Sequence, residues 1–220
     1  MNLAYPLIIP CGGESLRMGE LKGLLPYRGK PWLVYQMEQF AKVGGESICV
    51  VLGFSQEQFL SAMPWLSLAM NTYHLRDGLQ ISCVINPTPS LGPFSSLQCG
   101  ARFLLTQKFS GAFFLPVDVP VPAAAVWQTM DRAVSKSTEA VIPRWNGKEG
   151  HPVWLSHSFL ETLSRLPGDH PRARLDLQMA PLPTEQRRVV DVEDKQILMN
   201  LNTAEDFLAF HRDEQDTDKS

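Results

Sequence analysis

The stretch Pro10-Cys11-Gly12-Gly13-Glu14-Ser15-Leu16-Arg17-Met18-Gly19-Glu20-Leu21-Lys22 places two adjacent glycines, a hydroxyl and two cations on one short segment. Adjacent glycines let a backbone turn sharply and approach a ligand closely, because no Cβ intervenes. Several main-chain N–H groups can then point into one concavity and hold anionic oxygens. Arg17 adds a planar fork for phosphate oxygens and Lys22 a mobile point charge. The segment reads as a triphosphate cradle, with Cys11, Gly12, Gly13, Ser15, Arg17 and Lys22 as its binding residues. It is neither of the two commonest phosphate loops. Gly13 and Gly19 enclose five residues and Glu20 follows, where a P-loop needs four and a Lys. The third glycine of the dinucleotide fingerprint is missing as well.

Asp118 is the second residue suited to this chemistry. It follows the apolar run Ala112–Val117, at the carboxyl end of an expected strand, where open α/β sheets put their ligands. A carboxylate facing a triphosphate is repelled unless a divalent cation lies between them, and Mg²⁺ is commonly shared in that way. An Asp before Pro120 is also an ordinary turn residue.

The elements that must position these groups are legible in part. An apolar run over Leu3–Ile9 reads as a buried strand leading into the cradle. Pro10 has no N–H to give a sheet, so that strand must end or be unpaired there. Pro31 to Val43 carries Trp32, Tyr35, Phe40 and Val43 at helical spacing, with Pro31 suited to a first turn. Ser47–Leu52 and Ile81–Ile85 read as strands, and Ser55–Ala62 as a helix. Ser95–Leu105 reads as a helix whose Ser95 and Gln98 are spaced as a capping box. The all-apolar Ala112–Val117 run suits a strand covered on both faces. Strand and helix alternating in this order predict an α/β fold, Rossmann-like, with a mainly parallel sheet between helical layers. The expectation is a single domain over residues 1–211, its last helix spanning Thr203–His211, and a frayed polar tail from Arg212 to Ser220.

The pattern G-G-x-S-x-R-M-G-x-x-K-G-L-L, followed by Gly29-Lys30-Pro31, resembles the opening signature of the MobA-like nucleotidyltransferases. Asp118-Val119-Pro120 is similar to the family's Asp-x-Pro. The stretch Asn200-Leu201-Asn202-Thr203-Ala204-Glu205-Asp206 is similar to its N-x-N-T-P-E-D. The resemblance implies a three-layer sandwich of the nucleotide-diphospho-sugar transferase type. It also implies transfer of a nucleoside monophosphate from a nucleoside triphosphate, with Mg²⁺ and release of pyrophosphate. Asp118 and Asn202 then become the metal ligands, Asn202 offering a neutral carboxamide oxygen where many relatives have Asp. Arg17, Lys22 and Asp118 become the catalytic groups. The implied acceptor is molybdopterin, with a sugar or polyol phosphate as the alternative.

Base choice is expected in the cradle entry and in the loop from Asn86 to Leu97, with Asn86, Gly92 and Ser95 as contacts. A loop rich in Pro and Gly presents backbone groups at fixed positions, suited to the edge of a base. Gly12-Gly13 and Gly92-Pro93 resemble the guanylyl type, whereas Ser95-Ser96-Leu97 and Gly150-His151-Pro152 look more like the cytidylyl type. GTP is favoured over CTP because Asn200, Asn202, Lys22-Gly23-Leu24-Leu25 and Gly92-Pro93 agree. The resemblance puts His151 near the acceptor, and Arg172 and Arg174 near a segment that usually carries Gly-Ala-Arg.

Composition narrows the class further. At 220 residues, 44% hydrophobic and 20% charged, the chain has globular proportions and can bury a sizeable core. A net charge of −3 gives no basic footprint for nucleic acid. Cys11, Cys49, Cys83 and Cys99 form no C-x-x-C pair and no zinc spacing, which fits reduced thiols in the cytoplasm. No leader-like N-terminus and no uncharged membrane-length window is present, so no membrane association is expected. A non-catalytic nucleotide sensor, with Asn200 and Asn202 replacing lost ligands, is the reading from another class. A dehydrogenase on a related fold is disfavoured by the missing third glycine.

Overall fold

The architecture follows from where the apolar runs can hide. In the computed structural model, which describes residues 3–13 and 21–217, these runs form a nine-stranded sheet. Strands β1 (Leu7–Cys11), β4 (Ser47–Leu52), β6 (Leu79–Ile85) and β7 (Gly111–Phe114) form its centre, in the order β6-β4-β1-β7 and all parallel. A short hairpin off this sheet pairs β2 (Pro26–Tyr27) with β3 (Lys30–Pro31). The sheet continues from β7 through β10 (Val153–Ser156) and β8 (Ala140–Trp145) to β11 (Arg187–Asp191). Strands β10, β5 (His74–Arg76) and β9 (Lys148–Glu149) run against the other six, so the sheet is mainly parallel.

Helices cover both faces. Helices α1 (Trp32–Lys42), α2 (Gln56–Ala62) and α4 (Ala124–Ala133) bury Leu33, Met37, Phe40, Phe59 and Trp127 against Leu7 and Ile9 of one face. Helices α3 (Pro93–Leu105), α5 (His157–Arg165) and α6 (Leu175–Met179) bury Phe94, Leu97, Phe159 and Met179 against Ile8 and Val51 of the other. The alternation of Leu7, Ile8 and Ile9 between two cores is the period-two geometry of a strand covered on both sides. The last helix, α7 (Ala204–Thr217), docks Phe207 and Phe210 onto Tyr27, Trp32 and Tyr35.

Several boundaries differ from expectation, each for a backbone reason. Pro6 interrupts the first apolar run, so the strand begins at Leu7 and Leu3 makes only an isolated bridge to Gly45. Pro10 is paired with Val51 on the β4 side. Pro6 and Ile8 present their carbonyls to the β7 side, accepting from Phe113 and Leu115. By alternation the missing Pro10 donor faces that side beyond the end of β7, where it costs no ladder bond. Strand β7 stops at Phe114 rather than Val117, because Pro116 ends the ladder.

Helix α3 begins at Pro93, two residues earlier than expected, with Gly92 as its N-cap at φ 85°. The Ser95–Gln98 capping box is therefore not formed. Gln98 instead donates to the Leu163 and Leu166 carbonyls at 2.8 and 2.7 Å, tying α3 to α5. At the C-terminus, α7 continues to Thr217 and replaces the frayed tail expected from Arg212. The segment contains Arg, Glu and Gln and no Gly or Pro, so nothing in it stops a helix.

Candidate active site

The centre of the sheet has a topological switch point: from β1 the chain order runs to β4 on one side and to β7 on the other. Such a fork leaves a crevice at the strands' carboxyl ends. The segments after β1 and β7 open there, bringing Gly12 and Gly13 opposite Pro116, Val117 and Asp118 around a cavity of about 240 Å³. Cys11, Lys22, Gly92 and Ser96 line the same cavity. Gly12 and Gly53 pack backbone to backbone, so a Cβ on Gly53 would lie 2.6 Å from the Gly12 Cα. That contact holds the cradle entry against the end of β4.

The charged centre of the site joins three distant parts of the chain. Lys22 Nζ donates to Asp118 Oδ2 at 2.8 Å and to Asn202 Oδ1 at 2.6 Å. The Lys22 and Asp118 side chains are only 17% and 23% exposed, so water screens this ion pair less than a surface pair. Two oxygens thus converge on one cationic nitrogen.

Each partner is held from behind. Trp32 Nε1 donates to the Val117 carbonyl at 2.6 Å. Gln36, fully buried, donates to the Val119 carbonyl at 2.6 Å and accepts from the Val121 amide at 2.9 Å. Helix α1 therefore fixes the loop carrying Asp118. The Leu201 amide donates to the Asp118 carbonyl at 2.7 Å, which ties that loop to the Asn202 segment. Asp206 Oδ2 accepts from the Asn202 and Thr203 amides at 2.9 and 2.8 Å, and Thr203 Oγ1 accepts from the Asp206 amide at 3.1 Å. This is a capping box at the start of α7, and it also orients Asn202. The Thr203 hydroxyl, then the Asn202 and Thr203 amides, hold the Asp206 carboxyl below the usual carboxylate range.

The expected residues divide into three groups. Cys11, Gly12, Gly13, Lys22, Gly92 and Asp118 line one cavity, and Asn202 joins them through Lys22. Ser15 and Arg17 lie outside the described residues. Asn86 and Ser95 are placed differently from the expected base contacts, buried behind the wall. Asn86 Nδ2 donates to Ser95 Oγ at 2.7 Å and to Ser96 Oγ at 3.1 Å, while Asn86 Oδ1 accepts from the Thr88 amide at 3.0 Å. Ser95 Oγ in turn donates to the Gly92 carbonyl at 2.7 Å. Their hydrogen bonds shape the loop, leaving Ser96 and Gly92 at its inner surface. Burial pushes the Cys11 thiol well above its ordinary pKa, so Cys11 is a packed wall residue and no thiolate.

Sequence reasoning missed Gln36, Trp32 and Gly53. The signal for Gln36 was a polar residue four positions after Trp32, on the same face of a helix that otherwise buries apolar groups. For Gly53 it was a glycine directly after the run Ser47–Leu52.

A second, larger cavity of about 730 Å³ adjoins the first. Pro10, Pro93, Pro116 and Asp118 line both. Its wall is mainly apolar, including Phe94, Leu97, Phe114, Ile142, Val153 and Met179. Glu149, His151, Arg174, Asp176 and Asn200 supply its polar groups. Arg174 lines this cavity and is bonded to Asp176 at 2.8 Å. Arg172 instead donates to the Leu177 carbonyl at 2.8 Å.

A mainly parallel sheet with a glycine-lined crevice at its switch point, beside a second cavity, is the architecture of an α/β enzyme. Residues 7–182 match the model of the MobA-like NTP transferase domain. The chain belongs to that family and is a nucleotidyltransferase. Its sequence is similar to a protein of Rhodopirellula baltica named "Probable molybdenum cofactor guanylyltransferase", with 23% identity over 90% of this chain and 79% of the relative. Its fold is similar to a nucleotidyl transferase from Methanothermobacter thermautotroptrophicus, with a TM-score of 0.71, 18% identity, and 97% and 98% of the two chains covered. It is also similar to Rv0371c of Mycobacterium tuberculosis in a complex with manganese, with a TM-score of 0.59, 22% identity, and 86% and 88% covered. Among the described residues, no helix is long and apolar enough to cross a membrane.

Proposed function

We propose that this nucleotidyltransferase moves a nucleoside monophosphate from GTP onto the terminal phosphate of molybdopterin or a close pterin relative, releasing pyrophosphate. The observation that carries this reading is the shared wall: Asp118 belongs both to the glycine-lined cavity and to the larger apolar one. Two substrates bound side by side would meet at that carboxylate. The apolar wall of the larger cavity favours a flat ring body over a hydroxyl-rich sugar. The name of the Rhodopirellula baltica relative points the same way. CTP is the alternative donor, supported by Ser96 at the inner surface of the loop.

Mg²⁺ fits the charged centre. Two hard oxygens, from Asp118 and Asn202, already converge on a cationic nitrogen. Among the described residues no group of three or more His, Cys, Asp or Glu could hold a metal, so substrate phosphates would complete its shell. When bound there, the metal would supply charge neutralisation for the triphosphate. Manganese in the Mycobacterium tuberculosis neighbour supports a divalent ion.

The remaining work falls to the chain. The backbone at Gly12 and Gly13 approaches the polyphosphate, and Lys22 offsets its charge. Arg17 is assigned the same duty from its place in the motif. The acceptor phosphate is already largely ionised near neutral pH, so no strong general base is needed. Alignment of the attacking oxygen with the α-phosphorus, and charge stabilisation, provide the acceleration.

The test is calorimetric titration of GTP and CTP with Mg²⁺, followed by pyrophosphate release with molybdopterin or sugar phosphates as acceptor. Tighter GTP binding and molybdopterin-dependent release are expected. Binding of neither nucleotide would remove the assignment, and release with a sugar phosphate alone would replace the acceptor.

A further inference from the structure

The three groups of the charged centre differ in how firmly they are held. The Asp118 carbonyl accepts from the Leu201 amide, and the carbonyls on either side of it, Val117 and Val119, accept from Trp32 and Gln36. The Asn202 amide is bonded to Asp206 at 2.9 Å. Lys22 opens a single 3₁₀ turn, Lys22–Leu24, closed by the Leu25 amide on the Lys22 carbonyl at 3.2 Å. Gly23 sits so close under Phe59 that a Cβ there would lie 2.8 Å from the ring. The backbone beneath the lysine is therefore pinned. What is left to move is its flexible four-carbon stem.

The oxygens that Lys22 occupies are the ones a divalent ion would use. Its Nζ lies 2.8 Å from Asp118 Oδ2 and 2.6 Å from Asn202 Oδ1. Mg²⁺ takes such oxygens at about 2.1 Å, and a carboxamide has a single oxygen to offer. An ammonium and a doubly charged ion on that one oxygen would stand a few ångströms apart. In a site that is largely shielded from water, two cations so close repel strongly. One must leave for the other to enter. The cavity gives Lys22 a second place, because Lys22 lines it together with Gly12 and Gly13, where the phosphate oxygens of a nucleotide would lie.

We propose that Lys22 is a displaceable counter-ion. It keeps the Asp118 and Asn202 oxygens converged, and releases them to the divalent ion when a bound triphosphate offers its ammonium another anion. This rests on the reading that Asp118 and Asn202 hold the metal. Lys22 thereby has a positioning role beside its charge-offsetting one. Metal and nucleotide affinities are linked through this one side chain, each raising the other.

The probe is Mn²⁺, titrated into the full-length chain without nucleotide and read by electron paramagnetic resonance. K22M and K22A, both uncharged, should bind it at least about tenfold more tightly than wild type, the scale of one charge-assisted hydrogen bond. K22R keeps the cation and should stay within about threefold of wild type, well below that scale. K30M removes a lysine that pairs with Glu38 instead, and should leave the affinity unchanged. Adding D118N to K22M should abolish the gain. Equal affinity in wild type and both uncharged variants, a gain in K30M as large as in K22M, or a gain that survives D118N would overturn the proposal. The metal assignment beneath it has its own readout, water-proton relaxation by Mn²⁺ with GTP in wild type and D118N. Enhancement lost in D118N, with no gain in K22M or K22A, would overturn the role of Lys22 alone. Enhancement unchanged in D118N would remove the metal site and the proposal with it.

Discussion

Lys22, Asp118 and Asn202 come from positions that no local spacing could relate, and their contact is the smallest unit that explains the site. In the proposed reaction, the ammonium held by this carboxylate and carboxamide would offset the charge of the bound triphosphate. Lys22→Ala and Asp118→Ala are each expected to lower kcat by about 10²–10³-fold, the scale of losing a preorganised electrostatic contact. Their melting temperatures should change little, because a partly exposed ion pair contributes only about 1 kcal/mol or less. Steady-state kinetics beside a thermal melt checks both, and full turnover in either variant would remove that residue from the mechanism. The cysteines belong to the same scale. Burial raises the Cys49 and Cys83 thiols to about 12, so they stay protonated and act as small core residues.

At the scale of elements, the parts that carry chemistry are loops, and their accuracy is borrowed from neighbouring helices. Helix α1 does this through Gln36, whose amide takes part in bonds to Val119 and Val121. Gln36→Leu keeps the packing volume but leaves a buried carbonyl and a buried N–H unpaired, at a cost of about 1–3 kcal/mol for each. Thermal stability should fall accordingly, by roughly 2–4 °C per kcal/mol for a chain of this size. The Val121 amide should also lose hydrogen-exchange protection, and kcat should fall more than the nucleotide KM rises. Retained Val121 protection would show that α1 does not hold the loop. Asn86 and Ser95 play the matching part for the other wall. They looked like ligand contacts from sequence because polar side chains in a Pro–Gly loop serve ligands and loop shape equally well.

The whole molecule adds α7, which closes the chain against the hairpin and α1 and carries Asn202 at its threshold. Phe210, only 3% exposed, packs with Tyr27 and Trp32. Phe210→Ala should cost about 3–5 kcal/mol in urea unfolding, as for other buried aromatic truncations. Under native conditions it should also weaken Mg²⁺-dependent nucleotide binding, since the capping box that orients Asn202 loses its support. Unchanged nucleotide affinity in that variant would separate the C-terminal helix from the site.

The glycines and cations of the first loop, the lone Asp after an all-apolar strand and the alternation of elements were legible because each is a local pattern with a local physical cause. They determined the α/β class, the family and one half of the site. The reversed strand β10, the burial of Gln36 and the pairing of Asn86 with Ser95 depend on groups far apart in the chain, which periodicity does not relate. The resemblance already implied that Asp118 and Asn202 share one site; only the tertiary structure decided that Lys22 bonds both, and that two cavities share one carboxylate. That arrangement depends on the order in which strands cross the sheet, and strand order leaves no mark on any single segment.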